Sequence, residues 1–266
     1  MIGFRRNESY KSYLSPHVGN TYFLRIDIKD FFPSITDKLI ASELACVLSL
    51  NTPEETDKII TLITDIVTRN GVLPQGASTS PAISNIVMAR IDQRILKYCQ
   101  VFDITYTRYA DDLLFSSPKF DFSQKKWFFK KIKYILKSNN FSINHTKIKY
   151  AQKEISLNGY VISPTDVRLS RKRLSDIRHV VSRMQQNHPI LIAHGPDAFL
   201  DTINSLSLYH RDLSEYPFTS LFLLLQYLCG YRAFLISWID PNSQTTFQKE
   251  LKHLIARIEK VIKEFS

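Results

Sequence analysis

Apolar and polar positions change period several times along this chain, and each change marks an element. The stretch YFLRIDIKDFF (22–32) is apolar and β-rich and predicts a buried strand ending near Phe31. A helix is expected through 35–48. A second, over 51–69, has a clear start, with Thr52 as cap, Pro53 in the first turn and Glu54 and Glu55 at the positive dipole end. GVLPQGASTSP (71–81) reads as a Gly/Pro loop and 82–98 has helical periodicity. VFDITYTRY (101–109) and DLLFSS (112–117) predict two strands joined by a tight turn at Ala110–Asp111. A helix follows over 123–138. EISLNGYVIS (154–163) and TDVRLS (165–170) then suggest a hairpin turning at Pro164. From Ser170 the pattern is helical to the end, broken at Pro189, Gly195–Pro196, Pro217 and Pro241. The shift near 170 divides an α+β part from a helical part.

The longest apolar run, FTSLFLLLQYLCGYRAFLISWI (218–239), is long enough to span a bilayer. Gln226, Gly230 and Arg232 interrupt it, and an arginine at mid-membrane is costly, so a buried helical segment is expected and no membrane partner. At 266 residues and 44% hydrophobic, the chain can bury a substantial core. Its 35 Lys and Arg against 25 Asp and Glu give +10, which points to a polyanionic partner, nucleic acid above all, or to an anionic membrane surface. The excess recurs at 124–137, 145–150 and 170–183, twice interleaved with aromatics, as a nucleic-acid groove would require. Any one run alone could be a solvated helix face. Cys46, Cys99 and Cys229 form no paired spacing and, with seven scattered histidines, no zinc pattern. They suit a reducing cytosol, and MIGFRRNESYK at the start carries no signal-peptide pattern, so a cytoplasmic location is expected.

Three carboxylates stand where carboxylates are expensive. Asp111 and Asp112 adjoin Leu113, Leu114 and Phe115, and Asp27 lies inside the apolar strand LRIDIKDFF. Alternation sends Asp111 and Asp112 to opposite faces, but at a tight turn both can lean toward one site. On adjacent strands of one sheet the three would form an oxygen-rich cluster suited to Mg²⁺. Two such ions about 4 Å apart would hold the attacking and leaving oxygens of an in-line phosphoryl transfer. Divalent metal is therefore the expected counter-charge. The bland alternative is an Asp-Asp pair that merely forms the turn.

The elements DIKDFFPSI, LPQGASTSP and YADD occur in this order, at 27–35, 73–81 and 109–112. With these the sequence resembles the bacterial retron-type reverse transcriptases. The resemblance implies a polymerase right hand: a palm of antiparallel sheet and packed helices with residual fingers elements over 1–169, and a helical thumb over 170–266. Asp27, Asp111 and Asp112 match the family's catalytic metal ligands, with the backbone of Ile28 completing a site for two Mg²⁺, or for Mn²⁺ in their place. Phe32 falls where the family sets an aromatic under the sugar of the incoming dNTP, and Gln75 and Gly76 in the loop that contacts that nucleotide. Lys147 matches the lysine near the leaving pyrophosphate, a candidate general acid. Tyr109 matches a nucleic-acid contact, and LNGYVIS (157–163), with Asn158 and Gly159, resembles the hairpin gripping the primer end. Arg171, Lys172 and Arg173 would meet backbone phosphates. Implied partners are an RNA template, a DNA primer and product, a structured non-coding RNA whose copy stays RNA-linked (msDNA), and an effector protein of an anti-phage system.

Three departures accompany the resemblance. The family carries a long segment ahead of Gly3–Phe4 that this sequence does not show, open to reading as a late start, a truncation or half of a split enzyme. Amino-terminal fingers are therefore expected to be largely missing and the isolated chain weak. The family's Asn-Ala-x-x-His stretch reads YLSPH (13–17) here and keeps only His17, and its Val-Thr-Gly triplet reads LNG (157–159). Two rival readings stay open: a non-catalytic nucleic-acid-binding module of polymerase fold, and a defence-associated or intron-type reverse transcriptase without retron RNA.

Overall fold

The computed structural model describes residues 9–265, which form two compact units. The first runs to Ser156 and takes in Val161–Val167, and the second comprises Leu157–Tyr160 and Arg168 onward.

The first unit is built on β1 (Tyr22–Lys29). Its alternation sends Leu24, Ile26 and Ile28 into the core and leaves Phe23, Arg25 and Asp27 on the opposite face. The hairpin β2 (Thr105–Tyr109) and β3 (Asp112–Ser117) pairs with it, followed by β4 (Ser142–Ile143) and β5 (Lys149–Gln152). All pairings are antiparallel, in the order β2-β3-β1-β4, with β5 also on β1. The register sets Ile26 against Leu113 and Leu24 against Phe115 on the core face.

Helices cover that face: α2 (Asp37–Ala45), α3 (Pro53–Val67), α4 (Ser80–Gln100) and α5 (Lys126–Lys137). α3 begins as its sequence suggests, with Thr52 Oγ1 accepting from Glu55 N–H. α5 packs Phe128, Ile132, Ile135 and Leu136 into the same cluster as Leu24, Ile26 and Phe115. A buried ion pair enters this apolar layer. Arg108, fully buried on β2, donates to Asp92 of α4 (Nη2–Oδ2 2.8 Å) and through Nη1 to the carbonyl of Ala110 (2.9 Å). Tyr106 Oη completes the group by donating to Asp92 Oδ1 at 2.8 Å. The opposite face of the sheet is capped by α1 (Tyr10–Leu14) and a 3-10 turn, Ser15–His17.

Four expectations need correction. β1 stops at Lys29, short of Phe31, because Asp30 takes a positive φ of 46° and its carbonyl caps a turn with Ser34 N–H. The stretch 154–163 is two strands, β6 (Ile155–Leu157) and β7 (Tyr160–Ile162), turned by Asn158 (φ 49°) and Gly159 (φ 84°). β8 (Val167–Leu169) joins them in the order β6-β7-β8, so the expected reversal at Pro164 is present between β7 and β8, closed by Ser163 N–H on the Asp166 carbonyl at 2.9 Å. Pro189 does not break the helical part: it sits inside α6 (Arg171–Asn204), whose single kink is at Gly195 (φ 81°). The apolar run forms α7 (Leu221–Ile236), but only Leu224, Leu228 and Leu235 are buried, while Phe222 is 66% exposed. It is thus not a buried segment throughout. No described helix is long and apolar enough to cross a membrane. α8 (Thr246–Phe265) completes the second unit.

Candidate active site

Asp27 and Asp112 are direct cross-strand partners, so both side chains rise from the face away from the helices. Asp111 precedes β3 in the turn formed by Ala110, whose φ of 52° is a costly conformation for a residue with a Cβ. That turn is held from both sides. Arg108 binds the Ala110 carbonyl from the core, and Ile28 N–H donates to the Asp111 carbonyl at 2.9 Å. The two strands thus bring together all three aspartates and Ile28.

The buried carboxylates have cationic partners in the protein itself. Arg25, two residues before Asp27 and on the same face, forks onto Asp112, with Nε–Oδ1 at 2.7 Å and Nη2–Oδ2 at 2.8 Å. Lys147 Nζ lies 3.1 Å from Asp27 Oδ2. It is brought there because Asn144 N–H donates to the Asp27 carbonyl at 2.8 Å, seating the 3-10 turn His145–Lys147 over the strand. Metal is therefore not the only counter-charge, as the sequence alone suggested. Repulsion still remains. Burial and then the Asp27 charge push the Asp111 carboxyl above its ordinary pKa. Burial also raises Asp112, against the pull of Arg25.

The donor set is all hard oxygen, as Mg²⁺ or Mn²⁺ requires. Asp27 and Asp111 offer two carboxylates, the number Mg²⁺ ordinarily takes beside water and phosphate oxygens. Both oxygens of Asp112 already accept from Arg25, and among the described residues no three ligating groups stand ready as a metal cage. The chemistry fits the ion, and a third carboxylate ligand requires Arg25 to share Asp112.

The other expected residues fall in three places. Phe31 is buried against Phe141, whereas Phe32, on the turn after β1, is only partly covered. Gln75 and Gly76 are exposed at the tip of a loop pinned by Leu73 N–H on the Ile35 carbonyl (2.9 Å) and by Ser80 Oγ on that of Pro74 (2.6 Å). Tyr109 faces Asp112 across the hairpin and packs its ring on Tyr10 and Tyr13, at 5.1 and 5.9 Å. In the second unit, Arg173 donates to the Asn158 carbonyl (3.3 Å) and lies over the rings of Tyr160 and Phe234. A Cβ on Gly159 would come within 3.0 Å of it. Arg173 thus packs on this turn and is only partly exposed. Arg171 and Lys172 are exposed, with Lys172 over the ring of Tyr209.

Sequence reasoning missed Arg25, the Arg108–Asp92 pair and the role of His17. His17 is fully buried, with Nδ1 2.6 Å from Ser116 Oγ and Nε2 2.7 Å from Thr107 Oγ1, and ties the amino-terminal cap to the carboxylate face. Tyr13 Oη reaches the Asp112 carbonyl from the same cap, at 3.3 Å. The signal for Arg25 was available: a charge in an apolar strand, two residues from Asp27, must share its face.

Residues 1–162 match the reverse transcriptase (RNA-dependent DNA polymerase) family. The chain belongs to the reverse transcriptase family. Its curated relatives in that family include the retron Ec86 reverse transcriptase of Escherichia coli, 31% identical over 81% of this chain and 65% of that one. The retron Mx65 reverse transcriptase of Myxococcus xanthus is 36% identical over 43% of this chain and 30% of its own length. The chain thus spans less than two thirds of these reverse transcriptases. Among solved structures, telomerase from Candida albicans, in complex with a TWJ fragment of telomeric RNA, gives a TM-score of 0.46 at 12% identity, over 94% of this chain and 50% of that one.

Proposed function

We propose that this chain is the polymerising part of a retron-type RNA-directed DNA polymerase, adding deoxynucleotides from dNTPs to a primer on an RNA template. The reading is carried by one observation: Asp27 and Asp112 opposed in register, with Asp111 held beside them in a strained turn. Two divalent ions bound at Asp27, Asp111 and Asp112 would polarise the attacking 3′-hydroxyl and the triphosphate for in-line transfer. Arg25 orients Asp112 and favours its charged form against the burial that raises its pKa. Lys147 holds an ammonium proton beside Asp27, placed to protonate the leaving pyrophosphate once the triphosphate occupies Asp27's side of the site. Phe32 would exclude a 2′-hydroxyl, and the Gln75–Gly76 loop would touch the incoming nucleotide.

The finer reading follows from likeness to the retron enzymes. The template is a structured non-coding RNA, the product a short RNA-linked DNA, and the setting a cytoplasmic anti-phage system with an effector protein. Residues 1–169 act as palm and 170–266 as thumb. One observation favours the non-catalytic alternative: the bidentate closure of Asp112 by Arg25, which a scaffold would have no need to open. Extension of a DNA primer on an RNA template separates the two. The polymerase adds dNTPs in Mg²⁺ and stops on chelation, whereas a scaffold binds the duplex and extends nothing.

A further inference from the structure

The basic run at 124–137 is not part of the carboxylate site. α5 buries Phe128, Ile132, Ile135 and Leu136 against the core face of the sheet, and the aspartates rise from the other face. Its outer surface therefore points away from them, across the full thickness of the sheet. On that surface Lys126, Lys130, Lys133 and Lys137 are all exposed. At 100° per residue they fall within a stripe about 60° wide, spread over about 16 Å of helix. Trp127 and Tyr134, 46% and 59% exposed, stand one above the other beside the stripe. None of the four lysines pairs with a carboxylate among the described residues, and α5 itself carries no acid. Trp127 is anchored edgewise on Phe102 and Phe120, at 5.0 and 5.6 Å, and Lys131 lies over the Tyr134 ring at 5.5 Å. Yet both rings stay about half exposed beside a row of cations without a carboxylate partner, which is costly for a surface that meets only solvent.

We infer that the outer face of α5 is a second nucleic-acid site, binding a single-stranded stretch of RNA that is not in the catalytic groove. The lysines follow the phosphates, and Trp127 and Tyr134 offer faces on which bases stack. The ligand class deepens the polymerase reading, since an enzyme with its own structured RNA must hold segments that it does not copy. The site itself requires only that RNA be present.

The test uses the full chain and a labelled 15-nucleotide unstructured RNA, with a short RNA–DNA hairpin filling the catalytic groove. The variant is Lys126→Gln/Lys130→Gln/Lys133→Gln/Lys137→Gln. Four lost contacts at about 0.7 each should make the log–log salt dependence shallower by roughly 3 and weaken binding at least 10-fold. Hairpin extension should stay unchanged. The chain has two tryptophans, and Trp238 is buried, so RNA should quench the emission of Trp127, and Trp127→Leu, which keeps every charge, should lose the quench. Unaltered affinity and slope in the lysine variant, or an unaltered quench in Trp127→Leu, would overturn the inference. So would binding of α5 to phosphatidylserine vesicles in place of the RNA. Failure of the polymerase reading is separate: wild type would not extend the hairpin at all.

Discussion

His17 makes the amino-terminal cap sensitive to acid, by an amount that can be worked out. The Thr107 hydroxyl donates to the Tyr13 carbonyl at 2.9 Å, so its oxygen accepts from His17 Nε2–H. Nδ1 must then accept from the Ser116 hydroxyl, whose oxygen accepts in turn from Asn20 Nδ2 at 2.7 Å. A proton on Nδ1 would aim two N–H donors at Ser116 Oγ and strip the hydroxyl hydrogen of its acceptor. Burial lowers the His17 pKa from 6.5 to about 3. Above the unfolded pKa both states are neutral and the imidazole adds no pH dependence. Below it the unfolded chain takes a proton that the folded one refuses, so stability falls as pH drops from 6.5 toward 3. At pH 5 the loss is about 2 kcal/mol relative to pH 8, a large part of a typical total. That figure depends on the unfolded pKa alone while the folded value stays below about 4. Asp111 and Asp112, whose pKa values are raised, oppose it, being relieved of repulsion as they protonate. The quantity to measure is therefore the difference between wild type and His17→Gln, which keeps a donor and an acceptor but cannot titrate. In urea unfolding at pH 8 the variant should be less stable by roughly 1–3 kcal/mol. At pH 5 that gap should close by about 2 kcal/mol. A gap that is the same at both pH values would refute the buried neutral imidazole.

Arg25→Met strands the Asp112 carboxylate in a buried site and should cost roughly 3 kcal/mol in urea unfolding at pH 7, while Arg25→Lys, which keeps charge but loses the fork, should fall between. Arg108→Met should cost about 3–5 kcal/mol by leaving Asp92 buried without its partner, and Arg108→Met/Asp92→Leu should recover most of it. A double variant no better than the single would refute the pairing argument. Phe32→Ala should raise ribonucleotide incorporation much more than it lowers deoxynucleotide incorporation. Phe31→Ala should instead cost about 3–5 kcal/mol in stability with sugar preference unchanged. Primer extension with each nucleotide set, beside thermal unfolding, distinguishes the two.

Much of the first unit was legible because its signals are local. The cap of α3, the tight turn at Ala110–Asp111 and the β2–β3 hairpin each depend on a few adjacent residues. The convergence of Asp27 with Asp112 rests on register, a long-range property that periodicity leaves open and the family likeness supplied. Arg25 was legible by the alternation already applied to Asp27, yet a cation in a basic chain draws less notice than an acid in an apolar strand. Arg108 could be placed only after the strand was known to turn that position into the core against Asp92. The reversal at Pro164 lies between β7 and β8 as its turn residues suggest, and a second one, at Asn158–Gly159, divides the stretch before it into two short strands. α7 misled because an apolar composition does not say how many sides of a helix find a partner. α5 shows the same limit from the other side: charge and aromatics were plain in sequence, but which face of the sheet they served was not.

Asp111 is the residue on which the polymerase assignment is most directly tested. It lies in the turn where burial and then Asp27 raise its pKa, and among the described residues no ion pair closes on it as Arg25 closes on Asp112. Asp111→Asn is nearly isosteric, removes one negative charge from a basic protein, and should leave RNA–DNA duplex binding intact or slightly tighter. The measurement is single-nucleotide extension of a DNA primer on an RNA template across a Mg²⁺ titration, with duplex affinity measured on the same samples. Extension lost at every Mg²⁺ concentration, with affinity retained, is the predicted result. Extension near the wild-type rate would contradict the assignment of this site as the polymerase centre.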